Sequence, residues 1–476
     1  MTNVDMTNNE PAYLPSGDQE LVATLNRTVK LVLDSGEAKS LAEAQRLFEG
    51  YKLTVCVGPD VARSATHQAA LLTIVNTARR CFLGGVDVVD CPDAPLQIPW
   101  KRCCSLRDAV EDLQGSLTAQ RTIGVPLILL GNADLRPAEH DDFAVRVTWN
   151  GWRGGVTPLS RDRRLPEAQE CTPAGVMAGA LAVSEAFQCV RGSNVQAGRR
   201  SVGMSLWKPE QSEDWLSESD FGPDLEWLPN KLWLVGLGHL GQAYLWTLGL
   251  LPYARPQTVE LVLQDFDVLT VANDSTSPLT NLTMVGKKKT RAMAEWCEER
   301  GFRTTIQERQ FDGNFHVRPD EPPVLLCGVD NEAARAMLDE VGFDEVIEAG
   351  LGKGKEEYLG FQLHMFPSAK TARQHWGNGS VDGAADALVS LPAYQKLAEE
   401  GLDDCGLTQL AGRSVGASFV GTFASTLVVA ELLRMALGVH RYTVLDGSLR
   451  NLERRQSFSR PDKVQLTNPG VTEARK

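Results

Sequence analysis

A glycine-rich turn between an apolar run and a helix limits what this chain can fold into more than any other feature does. Leu232–Val235 is predicted to be a buried strand, and the residues up to Leu250 are predicted to form a helix. Between them, Gly236, Gly238 and Gly241 keep the spacing Gly-x-Gly-x-x-Gly. The helix amides then face the turn, an arrangement that binds phosphate. Because the same pattern serves NAD, FAD and ATP, the choice of nucleotide depends on residues further along.

The order of predicted elements runs through the chain twice. YKLTVCVGPD, a helix, GGVDVVD and GVPLILLGN follow one another in the first half, and KLWLVGLGHLG, a helix, VELVLQDFD and PPVLLCGVDN repeat that order in the second. Both halves end in a small-residue helix, and laying one helix over the other aligns Gly175, Leu181, Glu185 and Gly192 with Gly421, Leu427, Glu431 and Gly438. Strands that alternate with helices imply mostly parallel sheets. The sequence therefore predicts an α/β fold of two tandem Rossmann-like units.

The two predicted units lie on either side of an acidic, proline-containing linker. The predicted boundaries are a flexible N-terminus at 1–20, a first unit at 21–205, a linker at 206–229, a second unit at 230–455 with a crossover loop around 367–410, and a flexible tail at 456–476. The first unit is predicted to be degenerate, because Gly58-Pro59-Asp60 stands where the second unit has its glycine turn. A proline ring and an acidic side chain would take the place of free amides.

Composition and charge limit the classes of partner that we expect this protein to bind. A net charge of −13 and a pI near 5.2 disfavour nucleic acid and membrane surfaces, since both favour a basic face. The N-terminus lacks the basic start and apolar core of a signal peptide, so we expect a cytoplasmic protein. The uncharged run from Ser414 to Ala430 is rich in small residues and continues into Glu431, which favours a buried helix over a membrane span. Ten cysteines without a Cys-x-x-Cys pair indicate reduced thiols.

Acidic and basic residues beyond the glycine turn favour ATP chemistry over hydride transfer. Asp265 ends the second strand of the second unit, where an acid accepts hydrogen bonds from ribose hydroxyls in NAD and ATP sites alike. Asp267 and Asn273 follow, a helix opens around Lys289, and a third strand ends near Asp330. A lysine neutralises charge on phosphates, and a carboxylate at a strand end can hold Mg²⁺ on a leaving pyrophosphate. A hydride-transfer enzyme has no evident need for either group, which disfavours a Rossmann oxidoreductase.

These motifs together resemble the adenylation domain of the ubiquitin-activating, MoeB/ThiF-like family. The resemblance covers roughly residues 231–335, and the small-residue helix near Gly421 extends it towards the C-terminus. It rests on the glycine turn, on DFD six residues before an asparagine, on Gly286-x-x-Lys289, and on Asp330-Asn331 with Arg335 shortly after. Singly each motif is weak, but jointly they are specific. The resemblance implies an enzyme that uses ATP and Mg²⁺, with a first unit that is inactive.

The resemblance also implies a role for each matching position. The implied ATP contacts are Gly236, Gly238 and Gly241 in the turn, Asp265 and Asp267 with Asp265 on the ribose, Asn273 and Lys289 on the phosphates, and Asp330, which also holds the magnesium. In this family a further arginine reaches the phosphates from the inactive half or from a partner subunit. Arg27 in LNRTVKLVLDSG falls at the matching position, and the alternative for it is an exposed helix residue.

One position departs from the family pattern. The family usually has an arginine three residues after the asparagine that matches Asn273, and this chain has Thr276 there. A charge that contacts phosphate is therefore missing from the second unit. Full activity would require Lys287, Lys288 or another basic residue to replace that charge.

The resemblance implies a substrate and a second chemical step. A ubiquitin-like protein would present its C-terminal glycine carboxylate to ATP, and a cysteine thiolate would then form a thioester for transfer to a conjugating enzyme. Cys405 is the main candidate, since it lies just before the small-residue helix. Against it, Asp403 and Asp404 would raise the pKa of a neighbouring thiol. Cys171 in the first unit is the second candidate, whereas Cys327 is expected in a core strand.

Several alternatives stay open at the level of the sequence. The compact two-unit layout resembles the activating enzymes of bacterial ubiquitin-like conjugation operons linked to antiphage defence, and a homodimer of the chain is left open. A sulfur-carrier adenylyltransferase would work without thioester transfer, and a non-catalytic scaffold would bind a ubiquitin-like partner without cleaving ATP. His239 in the glycine turn is expected to be a spacer or a surface contact, and the Cys103–Cys104 pair is expected to be structural.

Overall fold

The computed structural model describes residues 23–100, 105–135, 138, 142–161, 163–210, 214–217, 219–312, 314–377, 384–459 and 467–475. The predicted flexible N-terminus at 1–20 and the Cys103–Cys104 pair lie outside these residues. The strands are β1 Leu53–Val57, β2 Val86–Val89, β3 Ser116–Thr118, β4 Leu127–Leu130, β5 Ala144–Asn150, β6 Arg153–Pro158, β7 Val202–Ser205, β8 Trp227–Pro229, β9 Lys231–Val235, β10 Glu260–Gln264, β11 Arg303–Gln307, β12 Val324–Cys327, β13 Glu345–Leu351, β14 Gly360–Phe366, β15 Tyr442–Ser448, β16 Gln456–Ser459 and β17 Val471–Glu473.

Helices alternate with these strands along both halves of the chain. They are α1 Lys30–Asp34, α2 Leu41–Glu49, α3 Ala65–Ala78, α4 Leu106–Asp112, α5 Thr172–Val190, α6 His239–Gly249, α7 Val271–Asp274, α8 Lys289–Glu298, α9 Glu332–Arg335, α10 Gly354–Glu357, α11 Ala372–Trp376, α12 Ala384–Val389, α13 Pro392–Glu399, α14 Asp404–Ala411 and α15 Ser418–Ala436.

Each half is built on one large sheet, and the two sheets share a strand order. The first sheet runs β3-β2-β1-β4-β5-β6-β7, and the second runs β11-β10-β9-β12-β13-β14-β15 with β16 added at the edge. The first five strands of each are parallel and the rest are antiparallel. The central strands, LTVCV and KLWLV, are almost continuous apolar runs because helices cover both faces of a parallel sheet. The predicted α/β class with mostly parallel sheets is confirmed.

The two small-residue helices, α5 and α15, end in the same way. Gly192 and Gly438 follow them with φ of 62° and 63°, the left-handed conformation that glycine adopts without strain. Near the end of each helix, Glu185 and Glu431 are buried, and each accepts a hydrogen bond from a downstream backbone amide, at 2.9 and 3.0 Å. Burial raises the pKa of both carboxyl groups. The aligned positions therefore make matching contacts in the two halves.

These same two helices form the centre of the molecule. Both are long and apolar enough to cross a membrane by length and composition, but 89% and 94% of their apolar windows are buried inside the protein. Their glycines let neighbouring helices approach closely. A Cβ on Gly175 would lie 2.3 Å from the Thr66 carbonyl oxygen in α3, and one on Gly421 would lie 2.3 Å from the His239 ring in α6. The buried helix predicted after Ser414 is thus observed as α15.

Three predicted connecting segments contain secondary structure that the sequence did not predict, in the part of the chain that the structure describes. In the described part of the predicted tail at 456–476, residues 456–459 form β16, which extends the second sheet, and residues 471–473 form β17, which pairs with β8. That pairing also takes 227–229, at the end of the predicted linker, into a strand. The predicted crossover loop around 367–410 is largely helical, since it contains α11 to α14. Strands of three or four residues and helices of five to eight carry too little periodicity to be read from sequence.

A buried ion-pair cluster joins the two halves. Arg79 and Arg80, directly after α3, both reach Asp274 in the second half, at 2.8 and 3.1 Å. Arg80 also donates to the carbonyl oxygens of Pro278 and Thr280, each at 3.1 Å. Its side chain is only 1% exposed, and burial, followed by the charge of Arg79, lowers its pKa well below the usual value. The first half therefore binds the segment 274–280 of the second half through charge-assisted hydrogen bonds.

We expect Arg80→Met to lower the free energy of unfolding by about 3 kcal/mol, because breaking a buried ion pair leaves the remaining polar groups without compensation. Urea denaturation followed by tryptophan fluorescence measures the change. Arg303→Met is the matched control: it also removes an arginine–glutamate pair, with Glu260, but that arginine is 63% exposed. The control should cost less than about 1 kcal/mol. Equal losses in the two variants would contradict a special role for the Arg80 cluster.

Candidate functional site

A cavity of about 520 Å³ opens at the carboxyl ends of β9, β10 and β12. Because β10 and β12 flank β9 on opposite sides, the cavity lies where the strand order reverses, the usual ligand site of open α/β sheets. Eight residues predicted for the site line this cavity: Arg27, Gly236, Gly238, Asp265, Asp267, Asn273, Lys289 and Asp330. The other two predicted residues, Gly241 and Cys405, are placed elsewhere.

The three glycines of the turn are glycine for different reasons. Gly236 has a φ of 80°, which a side chain would strain. A Cβ on Gly241 would lie 1.9 Å from the carbonyl oxygen of Gly236, so this residue closes the turn from behind. A Cβ on Gly238 would have no neighbour within 4 Å. Backbone at Gly238 is therefore open to the cavity, where a phosphate can approach the first amides of α6.

Asp265 ties the glycine turn to the end of β10. Its carboxylate accepts hydrogen bonds from the backbone amides of Leu237, at 2.7 Å, and Asp267, at 2.8 Å. Lys289, the first residue of α8, is 9% exposed and pairs with Asp267 at 2.7 Å and with Asp265 at 3.8 Å. A lysine and two carboxylates thus share one wall of the cavity, with the lysine at the N-terminus of a helix.

Asn273 and Thr276 line one wall of the cavity. Thr276 belongs to the segment 274–280, which Arg80 holds by hydrogen bonds. The Asn273 side-chain oxygen caps α7 by accepting from the Thr270 amide at 2.8 Å and from the Thr270 hydroxyl at 3.1 Å. In the described part of the chain its NH₂ group has no acceptor, so that donor is available to a ligand. Thr276 is buried, and a Cβ on Gly416 would lie only 3.1 Å from its methyl carbon.

The two lysines considered as replacements for the missing arginine point away from the cavity. Lys287 pairs with Glu295 at 3.2 Å on the exposed face of α8. Lys288 donates to the carbonyl oxygen of Phe266 at 2.6 Å. Neither lysine lines the cavity. The prediction that one of them could replace the charge is therefore not supported by their positions.

Asp330 lies at the carboxyl end of β12, on the opposite wall from Asn273. It is exposed, and within the described ranges no hydrogen bond or ion pair engages its carboxylate. The loop that carries it is held firmly. Asn331 caps α9 by accepting from the Ala334 amide at 3.0 Å, and Arg335 donates to the Val329 carbonyl oxygen at 2.8 Å. The site therefore holds an oxygen ligand of the kind that Mg²⁺ prefers on a rigid support.

Arg27 enters the cavity from the segment that precedes the first sheet. Its amide donates to the Ser275 hydroxyl at 3.0 Å, and its carbonyl oxygen accepts from the Gly416 amide at 3.4 Å, so the second half fixes its backbone. One terminal nitrogen, Nη1, is buried without a hydrogen-bond partner among the described residues. Burial and the charge of Arg413 lower the pKa of Arg27 to about 10, whereas Asp330 opposes that shift. The alternative of an exposed helix residue is wrong, and the guanidinium remains charged near neutral pH.

Sequence reasoning missed three basic residues that line the cavity: Arg309, Lys353 and Arg413. Arg413 had a usable signal, since it is the one charged residue in the small-residue stretch LAGRSVGASF between α14 and α15. Arg309 and Lys353 follow β11 and β13, the strands next to the predicted Asp265 and Asp330 strands. A sequence does not show that these neighbouring strand ends converge.

His239, expected to be a spacer or a surface contact, is partly exposed and lines the cavity. It begins α6, and its ring lies against Gly421 of α15. Burial lowers the pKa of His239 to about 4, with a small further lowering from Arg80. The imidazole is therefore neutral at physiological pH.

The candidate cysteines differ sharply in accessibility. Cys405 is exposed in the first turn of α14, where the Gln409 side chain lies 3.4 Å from its sulfur. Seven residues separate it from Gly412 at the cavity edge, about 10 Å along a helix. Cys171 and Cys327 are buried, and burial raises the pKa of each thiol to about 12. The core-strand prediction for Cys327 is confirmed, and Cys171 is not an accessible thiolate.

The matching turn of the first half carries an ion-pair network. Arg164 pairs with Asp60 at 3.3 Å and donates to Glu167 at 2.7 Å, while Glu167 also meets His67 at 2.8 Å. Asp60 in turn accepts from the Asn132 amide at 2.7 Å. The ligand atoms of Asp60, His67 and Glu167 lie within 4.8 Å of one another, but Arg164 already bridges the two carboxylates. Arg164 and both carboxylates line a separate cavity of about 430 Å³ in the first half.

Comparisons with known proteins place the chain in a family. Two family models match it: the BilD N-terminal domain over residues 52–206 and the BilD C-terminal domain over residues 228–439. The bacterial E1-like protein BilD of Collimonas sp. (strain OK412) is 43% identical over 430 residues, which is 90% of this chain and 92% of that protein. The chain therefore belongs to the bacterial E1-like proteins. Within that class it is a member of the BilD family, whose two domains correspond to the two halves described above.

Solved structures resemble it more distantly. The crystal structure of selenomethionine-labelled PaaA is 15% identical with a TM-score of 0.31, over 48% of this chain and 72% of that one. The E. coli MccB structure with AMPCPP and MccA is 14% identical with a TM-score of 0.32, over 48% of this chain and 64% of that one. TM-scores this low assign neither fold nor function.

We expect the imidazole of His239 to titrate near pH 4, against 6.5 in the unfolded chain. As the pH falls from 6.5 towards 4, the unfolded state binds a proton that the native state does not, so stability decreases. NMR titration of the histidine resonances measures the pKa, and His239→Asn identifies the signal. The same variant should flatten the pH dependence of unfolding. A His239 pKa of 6 or above would contradict the packing described for this ring.

Proposed function

We propose that the cavity of the second half binds ATP and that the protein uses it to adenylate a substrate carboxylate. The observation that supports this most is the meeting of eight independently predicted residues in one cavity. They come from before the first sheet, from the glycine turn after β9, from the ends of β10 and β12, from α7 and from the N-terminus of α8. Membership of the E1-like class fits the same activity.

Each side chain has a task that its surroundings explain. Asp265 is held by two backbone amides and still has lone pairs to accept from ribose hydroxyls. The free NH₂ of Asn273, the Lys289 ammonium and the unpaired nitrogen of Arg27 are donors for phosphate oxygens. The carboxylate of the substrate attacks the α-phosphorus, the bond to the bridging oxygen of the β-phosphate breaks, and pyrophosphate leaves. Fixed cations around the phosphates stabilise that charge without reorganisation.

Asp330 is the residue that would hold Mg²⁺. Its carboxylate is unpaired in the described part of the chain, whereas Asp265 and Asp267 are already engaged by amides and by Lys289. A hard carboxylate oxygen suits this cation. When bound, Mg²⁺ would neutralise charge on the leaving pyrophosphate.

The substrate we propose is the C-terminal glycine carboxylate of a ubiquitin-like protein. The acyl adenylate would then be attacked by the thiolate of Cys405, which releases AMP and forms a thioester for a conjugating enzyme. Cys405 is the exposed thiol closest in sequence to the cavity segment 412–417. Cys405 does not line the cavity, so the proposed second step includes a movement that brings its sulfur to the adenylate.

The cellular setting remains part of the proposal. We propose that the protein is a cytoplasmic enzyme of a bacterial ubiquitin-like conjugation operon linked to antiphage defence. It would act without nucleic acid or membrane, and a homodimer of the chain is left open. The first half would be inactive and supply structure. Two alternatives keep specific support: the distance of Cys405 from the cavity favours a sulfur-carrier adenylyltransferase without thioester transfer, and Thr276 favours a non-catalytic scaffold for a ubiquitin-like protein.

ATP–pyrophosphate exchange with ubiquitin-like proteins from the same genome tests the adenylation step. We expect Lys289→Met and Asp330→Ala each to lower exchange by at least about 100-fold, since each removes a group that meets phosphate charge. Arg164→Met is the control, because it removes a cation from the corresponding place in the first half. It should leave exchange intact in folded protein. Loss of exchange in Arg164→Met with retention in Lys289→Met would move the active site to the first half.

A non-reducing gel for a thiol-sensitive adduct tests the second step. We expect Cys405→Ala to lose the adduct and keep exchange, because the adenylate forms before the thiol reacts. Cys189→Ala, which alters another partly accessible thiol, should keep both. An adduct that survives in Cys405→Ala would exclude this cysteine as the acyl carrier. Exchange without any adduct in the wild type would favour the sulfur-carrier alternative.

A further inference from the structure

The second half lacks the arginine that the family resemblance implies at position 276, and the threonine found there packs against the segment before α15. Thr276 is 7% exposed, and its methyl carbon lies against Gly416. The segment 412–417, which links α14 to α15, therefore covers the position. Position 276 and the segment 412–417 therefore line the same cavity.

The covering segment carries its own cation. Arg413 lines the same cavity as Asn273 and Thr276, three residues before Gly416. Among the residues that the structure describes, no carboxylate pairs with its guanidinium and no hydrogen bond engages it. Most other cavity cations are paired: Lys289 with Asp267, and Lys353 with Glu332 at 3.0 Å. The Arg413 side chain is exposed, and its unpaired guanidinium is available to an anion.

Arg413 and Arg27 are held together as a pair. Thr28, next to Arg27, donates through its hydroxyl to the Gly416 carbonyl oxygen at 2.8 Å, and the Gly416 amide donates to the Arg27 carbonyl oxygen. One helical turn further on, Lys30 donates to the Ala411 carbonyl oxygen at 3.4 Å. Hydrogen bonds thus connect the segment that carries Arg27 to the segment that carries Arg413. Each segment contributes one arginine to the cavity.

Two like charges at one cavity wall repel each other unless an anion lies between them. The charge of Arg413 lowers the pKa of Arg27, and Asp330 compensates only in part. In addition, Nη1 of Arg27 is buried without a partner in the described residues. In the protein without a ligand, this wall therefore carries positive charge that no described anionic group fully compensates. A polyphosphate supplies several oxygens that can accept from two guanidinium groups at once.

We propose that Arg413 replaces the arginine missing at Thr276 and binds the β- or γ-phosphate of ATP together with Arg27. This inference rests on the proposed function, because it assumes that the cavity takes ATP. It predicts that the charge is supplied by the segment before α15 and not by the segment after Asn273. Arg413 is then a phosphate-binding residue that discriminates between nucleotides by their number of phosphates.

Calorimetric titration of the full chain with α,β-methylene ATP and with AMP, both with magnesium, tests this. We expect Arg413→Met to weaken binding of the triphosphate about 10- to 100-fold, the range of a charge-assisted hydrogen bond, and to leave AMP binding unchanged. Arg413→Lys should recover part of the affinity because it restores the charge. Arg46→Met, an equal change of net charge at an exposed position in α2, is the control and should change neither affinity.

The outcomes separate this inference from the proposed function. If the wild type binds no triphosphate, the ATP site itself is refuted, and the Arg413 role is refuted with it. If Lys289→Met weakens triphosphate binding and Arg413→Met does not, the ATP site stands and Arg413 is not part of it. Equal losses for the triphosphate and AMP in Arg413→Met would show a structural role for Arg413 and overturn the inference.

Discussion

The candidate site depends on the ion pair and hydrogen bonds that Arg80 makes with the segment 274–280. This segment follows Asn273 and carries Ser275 and Thr276, so it sets the position of one wall of the cavity. Arg80 is almost fully buried and bridges Asp274 to two backbone carbonyl groups from the other half of the chain. Burying a charge is costly unless hydrogen bonds compensate for it, which makes such a cluster sensitive to geometry. The first half therefore matters to the site even though its own turn carries Pro59 and Asp60 in place of the glycine pattern.

A second consequence concerns where the cations come from. In the second half itself, the glycine turn and Lys289 provide one side of a phosphate site. The other side is built by two segments that lie outside the central strands, one before the first sheet and one before α15. Hydrogen bonds between Thr28, Gly416 and Arg27 join these segments. The proposed ATP site is thus assembled from three parts of the chain, and none of them is complete alone.

The part of this site that sequence predicts is the part governed by local geometry. A strand, a glycine turn and a helix N-terminus follow from short-range spacing, which is why Gly236, Asp265 and Lys289 could be named from sequence. Arg413 could not, because its role depends on a contact between residues almost 400 positions apart, Arg27 and Gly416. The short strands β8 and β17 were missed for a related reason, since three residues without alternation carry no periodic signal. Cys405 stands between these cases: its exposure agrees with the expectation, and its distance from the cavity was not visible in the sequence.

The structure of the complex with α,β-methylene ATP and magnesium tests the account most directly. The proposed ATP site predicts one nucleotide per chain, bound in the second half. The ribose should lie on Asp265 and the phosphates over Gly238 and Asn273. Lys289 and Arg27 should contact phosphate oxygens. A nucleotide bound in the first half around Asp60 would contradict it. So would a second-half cavity that stays empty at saturating nucleotide.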